Sequence, residues 1–253
     1  KVEDQVLTMC KISLLKLLDK KYDWGSLMGV RPTKVLRRLL INGCDYKEAR
    51  KILKDFYLVT DEKINLMETV VKKELELLDK EHINLYIGIP FCPTKCKYCS
   101  FASYEINGGV GRFYNDFVET LLREIKIIGD FLKTYNKKVS SIYFGGGTPS
   151  TLTEDDLERV LRKLLENIDM SDVKEFTFEA GREDSLNIKK LEIMKKYSVD
   201  RMSLNPQSFN LETLKRVNRR FNRENFDLIF KEAKKLGFII NMDLIIGLPE
   251  ETT

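Results

Sequence analysis

Ile83-Asn-Leu-Tyr-Ile-Gly-Ile-Pro-Phe-Cys-Pro-Thr-Lys-Cys-Lys-Tyr-Cys99 joins a short apolar run to a tight group of cysteines. Ile83 to Ile89 is strand-length, rich in β-branched residues, and halted by Pro90. The cysteines follow at once, so they sit where a strand ends and a loop begins. The same rhythm repeats downstream. Val139 to Phe144 reads as a second strand, Phe176 to Glu179 as a third, Met202 to Leu204 as a fourth and Phe238 to Ile246 as a fifth. Between them lie amphipathic helical stretches. Gly111 to Thr134 carries Phe113, Phe117, Leu121, Ile125 and Ile128, and a helix from Thr153 carries Leu157, Val160, Leu161 and Leu164. Ile188 to Tyr197 and Phe226 to Leu236 complete the set.

Strand and helix in alternation predict an α/β fold of parallel βαβ units. A Rossmann-type open sheet is one solution. A partial (β/α) TIM-like barrel explains more, because polar and glycine-rich motifs follow the strand ends repeatedly, and barrels build their active sites at those ends. The chain stops soon after the fifth strand, so the barrel reads as truncated, with about five βα units.

Residues 1–80 read differently, as a small helical domain preceding a barrel domain over 81–253. Pro32-Thr33 opens a helix with Val35, Leu36, Leu39 and Leu40 on one face, and Gly43 stands where a C-terminal cap belongs. Asp45 and Glu48 have the spacing of a capping box before Ala49, Ile52, Leu53 and Phe56. Thr60-Asp61 opens another helix with Ile64, Met67, Val70, Val71, Leu75 and Leu78. Arg31, Arg37 and Arg38 are either surface charges of this domain or contacts for an anionic substrate.

The chain has 253 residues, 43% hydrophobic and 32% charged, which suits a globular protein. Its 43 basic and 39 acidic residues give a net charge of +4, too balanced to argue for nucleic acid. No apolar run reaches the roughly 18 residues that span a bilayer, and the N-terminus has no apolar signal core. The expected location is the cytoplasm.

Three of the five cysteines lie within the eight residues of Cys92-Pro-Thr-Lys-Cys96-Lys-Tyr-Cys99. A disulfide framework would spread and pair them, whereas a tight group of soft thiolates reads as a metal site. Three thiolates on one loop can occupy three irons of a cubane and leave the fourth iron open to a ligand. A closed zinc site is the alternative and wants a fourth ligand. The single histidine, His82, lies upstream of the strand and reads as a strand-edge surface residue. Cys10 and Cys44 read as small buried apolar residues of the helical region.

Each strand end also carries groups suited to a polar ligand. Gly145-Gly146-Gly147-Thr148 lets backbone approach closely and offers N–H and C=O groups. Glu179 places a carboxylate at the barrel mouth, where it needs a cationic or hydroxyl partner; Arg182 and Arg201 are candidates. Gln207 can donate and accept, and Arg219 offers a fixed fork for a carboxylate, with Arg220 beside it as a competitor. Asp243 falls within the fifth predicted strand.

Ile89-Pro-Phe-Cys92 running into the triad, with Tyr98, resembles the radical S-adenosylmethionine (SAM) superfamily. More narrowly it is similar to the oxygen-independent coproporphyrinogen III oxidases, the HemN-like group. The likeness continues through Gly145-Gly-Gly-Thr-Pro-Ser150, Phe178-Glu179, Met202-Ser-Leu-Asn-Pro-Gln207-Ser-Phe209, Val217-Asn218-Arg219 and Met242-Asp243-Leu-Ile-Ile-Gly-Leu-Pro249. The leader with Arg31-Pro-Thr-Lys34, the Glu179-Ala-Gly-Arg182 segment and Asn205-Pro-Gln207 look closest to the HemZ-type coproporphyrinogen dehydrogenases.

The resemblance implies a [4Fe–4S] cluster on Cys92, Cys96 and Cys99. It implies SAM contacts from Tyr86, Tyr98, Gly147, Thr148, Glu179, Gln207, Arg219 and Asp243, with Gly147 and Thr148 at the SAM amino group and Asp243 at the ribose. The implied reaction is oxidative decarboxylation of coproporphyrinogen III to protoporphyrinogen IX through a 5′-deoxyadenosyl radical, in haem biosynthesis. A reducing donor such as flavodoxin or ferredoxin would supply electrons. One departure stands out. The family's bacterial decarboxylases commonly carry a fourth cysteine two residues beyond the triad, and here that position is Phe101. The haem chaperones of the same branch also lack it. A haem-binding carrier, or another radical SAM reaction on a tetrapyrrole, therefore stays open as an alternative.

Overall fold

A computed structural model describes residues 2–29, 31–77 and 82–251. The chain divides into two compact units, Lys1–Asp79 and Lys80–Thr253.

The first unit is helical: α1 (Val2–Leu17), α2 (Thr33–Ile41), α3 (Tyr46–Lys51), a π-helical turn over Ile52–Phe56, and α4 (Asp61–Leu77). Leu36 of α2, Ala49 of α3, Leu53 of the π turn and Ile64, Met67 and Val71 of α4 form its core. The α2 helix closes with the Gly43 amide on the Leu40 carbonyl at 3.1 Å. The capping box forms as its spacing predicts. The Glu48 amide donates to Asp45 Oδ1 at 2.7 Å, and the Asp45 amide donates to Glu48 Oε2 at 3.1 Å. Arg37 pairs with Glu74 at 3.5 Å, an ordinary tie within the unit. Leu78, expected on the last helix, lies outside the described residues.

Cys10 corrects an expectation: it is exposed, not buried. Ile12 and Leu15 mark the buried face of α1, and a residue two positions from Ile12 falls on the opposite side of a 3.6-residue helix. Cys44 is half-buried against the helical core.

The second unit holds a five-stranded parallel sheet in the order β1-β4-β5-β6-β7. Its strands are β1 (His82–Ile89), β4 (Lys138–Gly146), β5 (Glu175–Gly181), β6 (Arg201–Leu204) and β7 (Ile239–Asn241). Two short strands, β2 (Phe91–Cys92) and β3 (Tyr104–Glu105), pair separately. The helices are α5 (Tyr114–Thr134), α6 (Glu154–Asn167), α7 (Ile188–Lys196), α8 (Leu211–Arg216) and α9 (Arg223–Lys235). The long helix predicted from Gly111 begins instead as a 3₁₀ turn, Gly109–Phe113.

Alternate apolar residues of the strands face one core, and Thr177 and Ser203 between them are buried as well. Ile87 and Ile89, Ile142 and Phe144, Phe176, Phe178 and Ala180, and Met202 and Leu204 all enter one core with α5, α6, α7 and α9. The side chains between them point to the other face. There Tyr86 and Tyr143 are exposed, the hydroxyls of Ser140 and Ser141 donate to Asn84 Oδ1 at 2.8 Å, and Arg201 Nε donates to Glu175 Oε2 at 3.1 Å. Within this unit, α5, α6, α7 and α9 pack on that one face, in the manner of a barrel wall. A doubly wound sheet would bury both faces under helices.

His82 opens β1 half-buried, with Nε2 at 3.9 Å from Asp172. The fifth strand is shorter than predicted. Its ladder ends at Asn241, and a single bridge between Gln207 and Leu244 follows. Side chains interrupt it: Asn241 Nδ2 donates to Asp243 Oδ1 at 3.0 Å, and the Asp243 amide donates to Asn205 Oδ1 at 3.2 Å. Asp243 therefore lies beyond the strand rather than within it. No described helix is long and apolar enough to cross a membrane.

Leu161 on α6 is fully buried, while Leu228 on α9 is 46% exposed. Leu161→Ala should cost about 2–5 kcal/mol of stability, and Leu228→Ala should stay within about 0.5 kcal/mol of wild type. Denaturant titration of the two variants checks the assignment of the core face.

Candidate functional site

The cysteine loop is closed at its neck and tied at its base. Beyond β1 the chain forms β2, and the amides of Tyr104 and Ile106 donate to the carbonyls of Pro90 and Cys92 at 2.8 and 2.9 Å. Inside the loop, Lys95 Nζ donates to the carbonyls of Phe101 and Ser103 at 2.5 and 3.2 Å, and the Lys95 amide donates to Glu105 Oε1 at 2.7 Å. The segment after α8 holds the loop from outside. The Lys97 amide donates to the Val217 carbonyl at 2.9 Å, and Asn218 Nδ2 donates to the Lys95 carbonyl at 2.9 Å.

The end of β4 runs against this loop. The amides of Gly147 and Thr148 donate to the carbonyls of Ile89 and Phe91 at 2.7 and 2.8 Å. Gly146 has φ +110°, and a Cβ on Gly147 would stand 2.7 Å from the Phe91 oxygen and 3.0 Å from Cys92 Sγ. No side chain fits at either position.

Cys92 and Cys96 are buried and Cys99 is half-buried. All three line a cavity of about 100 Å³, together with Tyr98, Gly147, Thr148, Glu179, Gln207 and Arg219. Tyr86 and Asp243 stand outside that lining but adjoin it through partners. Tyr86 stacks on Tyr143 at 5.7 Å with rings 10° from parallel, and both lie beside Glu179, since a Cβ on Gly145 would stand 2.8 Å from all three side chains. Asp243 Oδ2 accepts from Nδ2 of the cavity residue Asn205 at 2.9 Å.

The charges settle several alternatives. Glu179 has neither expected arginine: Arg201 pairs with Glu175 at 3.1 Å and Arg182 with Asp184 at 2.6 Å. Burial raises the Glu179 carboxyl above the usual carboxylate range, neighbouring Tyr143 opposes this, and the Asp243 charge adds to it. Arg219 is buried and Arg220 is exposed, so the site takes the first of the two. Arg219 Nη2 donates to the carbonyls of Gly181, at 3.1 Å, and Asn205. Its Nε is buried without a hydrogen-bond partner. Burial pushes the Tyr98 hydroxyl up to about 12; Arg219 pulls the other way, and Cys96 adds to the rise. Gln207 adopts φ +63°, which turns the chain after β6 so that its amide donates to the Asp243 carbonyl at 3.0 Å.

Two residues were not anticipated in these positions. Tyr143 is paired in register with Tyr86 and precedes Gly145 by two, so strand alternation was the available signal. Arg182 turns away from Glu179 and donates from Nη1 to Cys96 Sγ at 3.6 Å. The Thr148 hydroxyl donates to Cys92 Sγ at 3.3 Å.

The profile of the radical SAM superfamily matches residues 86–253. The chain belongs to the radical SAM superfamily. It is 42% identical over 235 residues to the oxygen-independent coproporphyrinogen-III oxidase-like protein HemZ of Bacillus subtilis, a match covering 90% of this chain and 47% of that one. It is 33% identical to the haem chaperone HemW of the same organism, over 66% of this chain and 43% of HemW. The solved structure of coproporphyrinogen III oxidase (HemN) from Escherichia coli superposes with a TM-score of 0.61 at 26% identity, covering 72% of this chain and 42% of HemN. The chain spans less than half the length of these relatives.

Superfamily membership brings a [4Fe–4S] cluster and SAM as cofactors, and the residues present fit both. Three thiols share one loop and one cavity, and two already accept hydrogen bonds. The described residues hold no group of three His, Cys, Asp or Glu side chains closed around a single ion; thiolates that bind three different irons of a cubane stand farther apart than ligands of one ion. The unpartnered Arg219 Nε is a buried donor at the same cavity, as a carboxylate ligand requires.

A carboxyl raised by burial favours the protonated folded state, so its contribution to stability is present below its unfolded value and is lost as pH rises through the folded one. Glu179→Gln should therefore make the ligand-free chain more stable than wild type near neutral pH, with the difference vanishing below pH 4.5, the ordinary value. Thermal melts across that range check the sign.

Proposed function

We propose that Cys92, Cys96 and Cys99 bind three irons of the cluster, and that the cavity beside them binds SAM. Gly147 and Thr148 would meet its amino group and Arg219 its carboxylate. Glu179, Gln207, Tyr98, Tyr86 and Asp243 would surround the rest, with Asp243 at the ribose. Held there, the cluster and SAM would supply one-electron radical chemistry for removing a hydrogen atom from the substrate. The chain's own residues orient the two groups and keep water from the thiolates. Both tasks fit a loop whose amides and lysine are already hydrogen-bonded and whose Cys92 and Cys96 are buried.

The substrate we infer is coproporphyrinogen III, taken to protoporphyrinogen IX by oxidative decarboxylation, with a flavodoxin or ferredoxin as electron donor and the cytoplasm as the compartment. The observation that carries this reading is the extent of the HemZ likeness. It covers 90% of the chain and so reaches well into the helical unit, whereas the HemW likeness covers 66%. Phe101 favours the second reading, a haem-binding carrier. It is 60% exposed beside the cluster loop, where a fourth cysteine would mark the decarboxylases.

Anaerobic turnover separates the two. Reduced, reconstituted protein with SAM and coproporphyrinogen III should yield protoporphyrinogen and one 5′-deoxyadenosine for each propionate converted to vinyl. Deoxyadenosine formed only in the presence of haem would overturn the decarboxylase reading. Cys96→Ala should abolish both the visible iron–sulfur absorbance and SAM cleavage, while Cys44→Ala should keep both; iron and sulfide analysis of the two variants checks the ligand set.

A further inference from the structure

Arg182 is a charged residue deep in this protein, 3% exposed at the end of β5. Its guanidinium is fully employed. Nε donates to Asp184 Oδ1 at 2.8 Å and Nη2 to Asp184 Oδ2 at 2.6 Å, a bidentate pair that fixes the plane of the fork. That leaves Nη1, which donates to the carbonyl and hydroxyl of Thr94 at 3.2 and 3.1 Å and to Cys96 Sγ at 3.6 Å. Thr94 and Cys96 belong to the cysteine loop, so one buried cation spans from the sheet to the metal ligands.

A salt bridge alone does not require this. Asp184 occupies one edge of the fork, and the other edge meets a thiol sulfur. Hydrogen bonds to ligand sulfurs are among the factors that set the reduction potential of an iron–sulfur cluster. Reduction adds negative charge to the cluster and its thiolates, and a cationic donor held on a sulfur stabilises that charge, more so where water is excluded. Lysine cannot reproduce the arrangement, because its ammonium is a point donor without a fork to engage Asp184 and Cys96 together.

We propose that Arg182 is a positioning residue for the cluster: anchored by Asp184, it donates to Cys96 Sγ and raises the reduction potential of the bound cluster, easing its one-electron reduction by an external low-potential donor. This rests on the assignment of Cys96 as a cluster ligand.

The test compares wild type, Arg182→Met and Arg182→Lys, each reconstituted anaerobically with iron and sulfide, by electron paramagnetic resonance during redox titration. At a fixed solution potential, Arg182→Met should show about a tenfold lower ratio of reduced to oxidised cluster, a shift of about 59 mV for a one-electron couple. Arg182→Lys should shift the same way by less. Wild-type potentials in both folded, cluster-containing variants would overturn the inference. So would loss of the cluster from both variants at full helix content, because Arg182 would then be structural support for the loop. A wild-type chain that takes up no iron would instead overturn the ligand assignment and this inference with it.

Discussion

A backbone seam holds the candidate site together. Past β1 the chain runs beside the glycine-rich end of β4, and Gly147 and Thr148 donate their amides to Ile89 and Phe91. The seam closes only because Gly147 lacks a side chain: a Cβ there would meet both the Phe91 carbonyl and Cys92 Sγ. Two strand ends are thereby locked in one register, and the first cysteine is placed against the Thr148 hydroxyl.

The one-sided sheet explains why the seam can serve a reactive centre. Helices α5, α6, α7 and α9 bury the apolar face, so packing energy is concentrated on the far side of the strands from the site. The near face is free to carry polar side chains such as Tyr143, Glu179 and Asn241, whose burial would otherwise cost free energy without partners. Tyr143 and Tyr86 stack there, and Glu179 sits beneath them with its carboxyl raised by desolvation. Deeper in, the cations are each committed. Arg182 faces Asp184 and Cys96, whereas Arg219 grips two carbonyls and keeps one buried donor unpartnered. The two arginines thus sit at different parts of the cavity lining, one against a cysteine of the loop and one against the carbonyls that follow β5 and β6.

The alternation of the five sheet strands with α5, α6, α7 and α9, the placement of the triad after a strand, and the glycine run at the next strand end were legible in the sequence, whereas α8 and the β2–β3 pair were not. Each legible feature is a local pattern: period two for strands, period 3.6 for helices, and fixed ligand spacing on one loop. The capping box at Asp45 and Glu48 was legible for the same reason. Other readings needed distance information. The exposure of Cys10 is not legible in the sequence because hydrophobicity does not say which face of α1 turns inward. The fifth strand was overextended because Asn241, Asp243 and Asn205 trade hydrogen bonds with one another where the apolar pattern continued.

By itself the sequence determined the fold class and the cysteine loop at a strand end, since both depend on residues close together in the chain. Tertiary structure alone decided the partners. It buried Arg219 and exposed Arg220, gave Glu179 a tyrosine in place of an arginine, and turned Arg182 toward a cysteine 86 residues away. The physical reason is that ion pairs and hydrogen bonds in a buried site are settled by which groups the sheet brings within about 3 Å and deprives of water, and adjacency in the chain does not encode that.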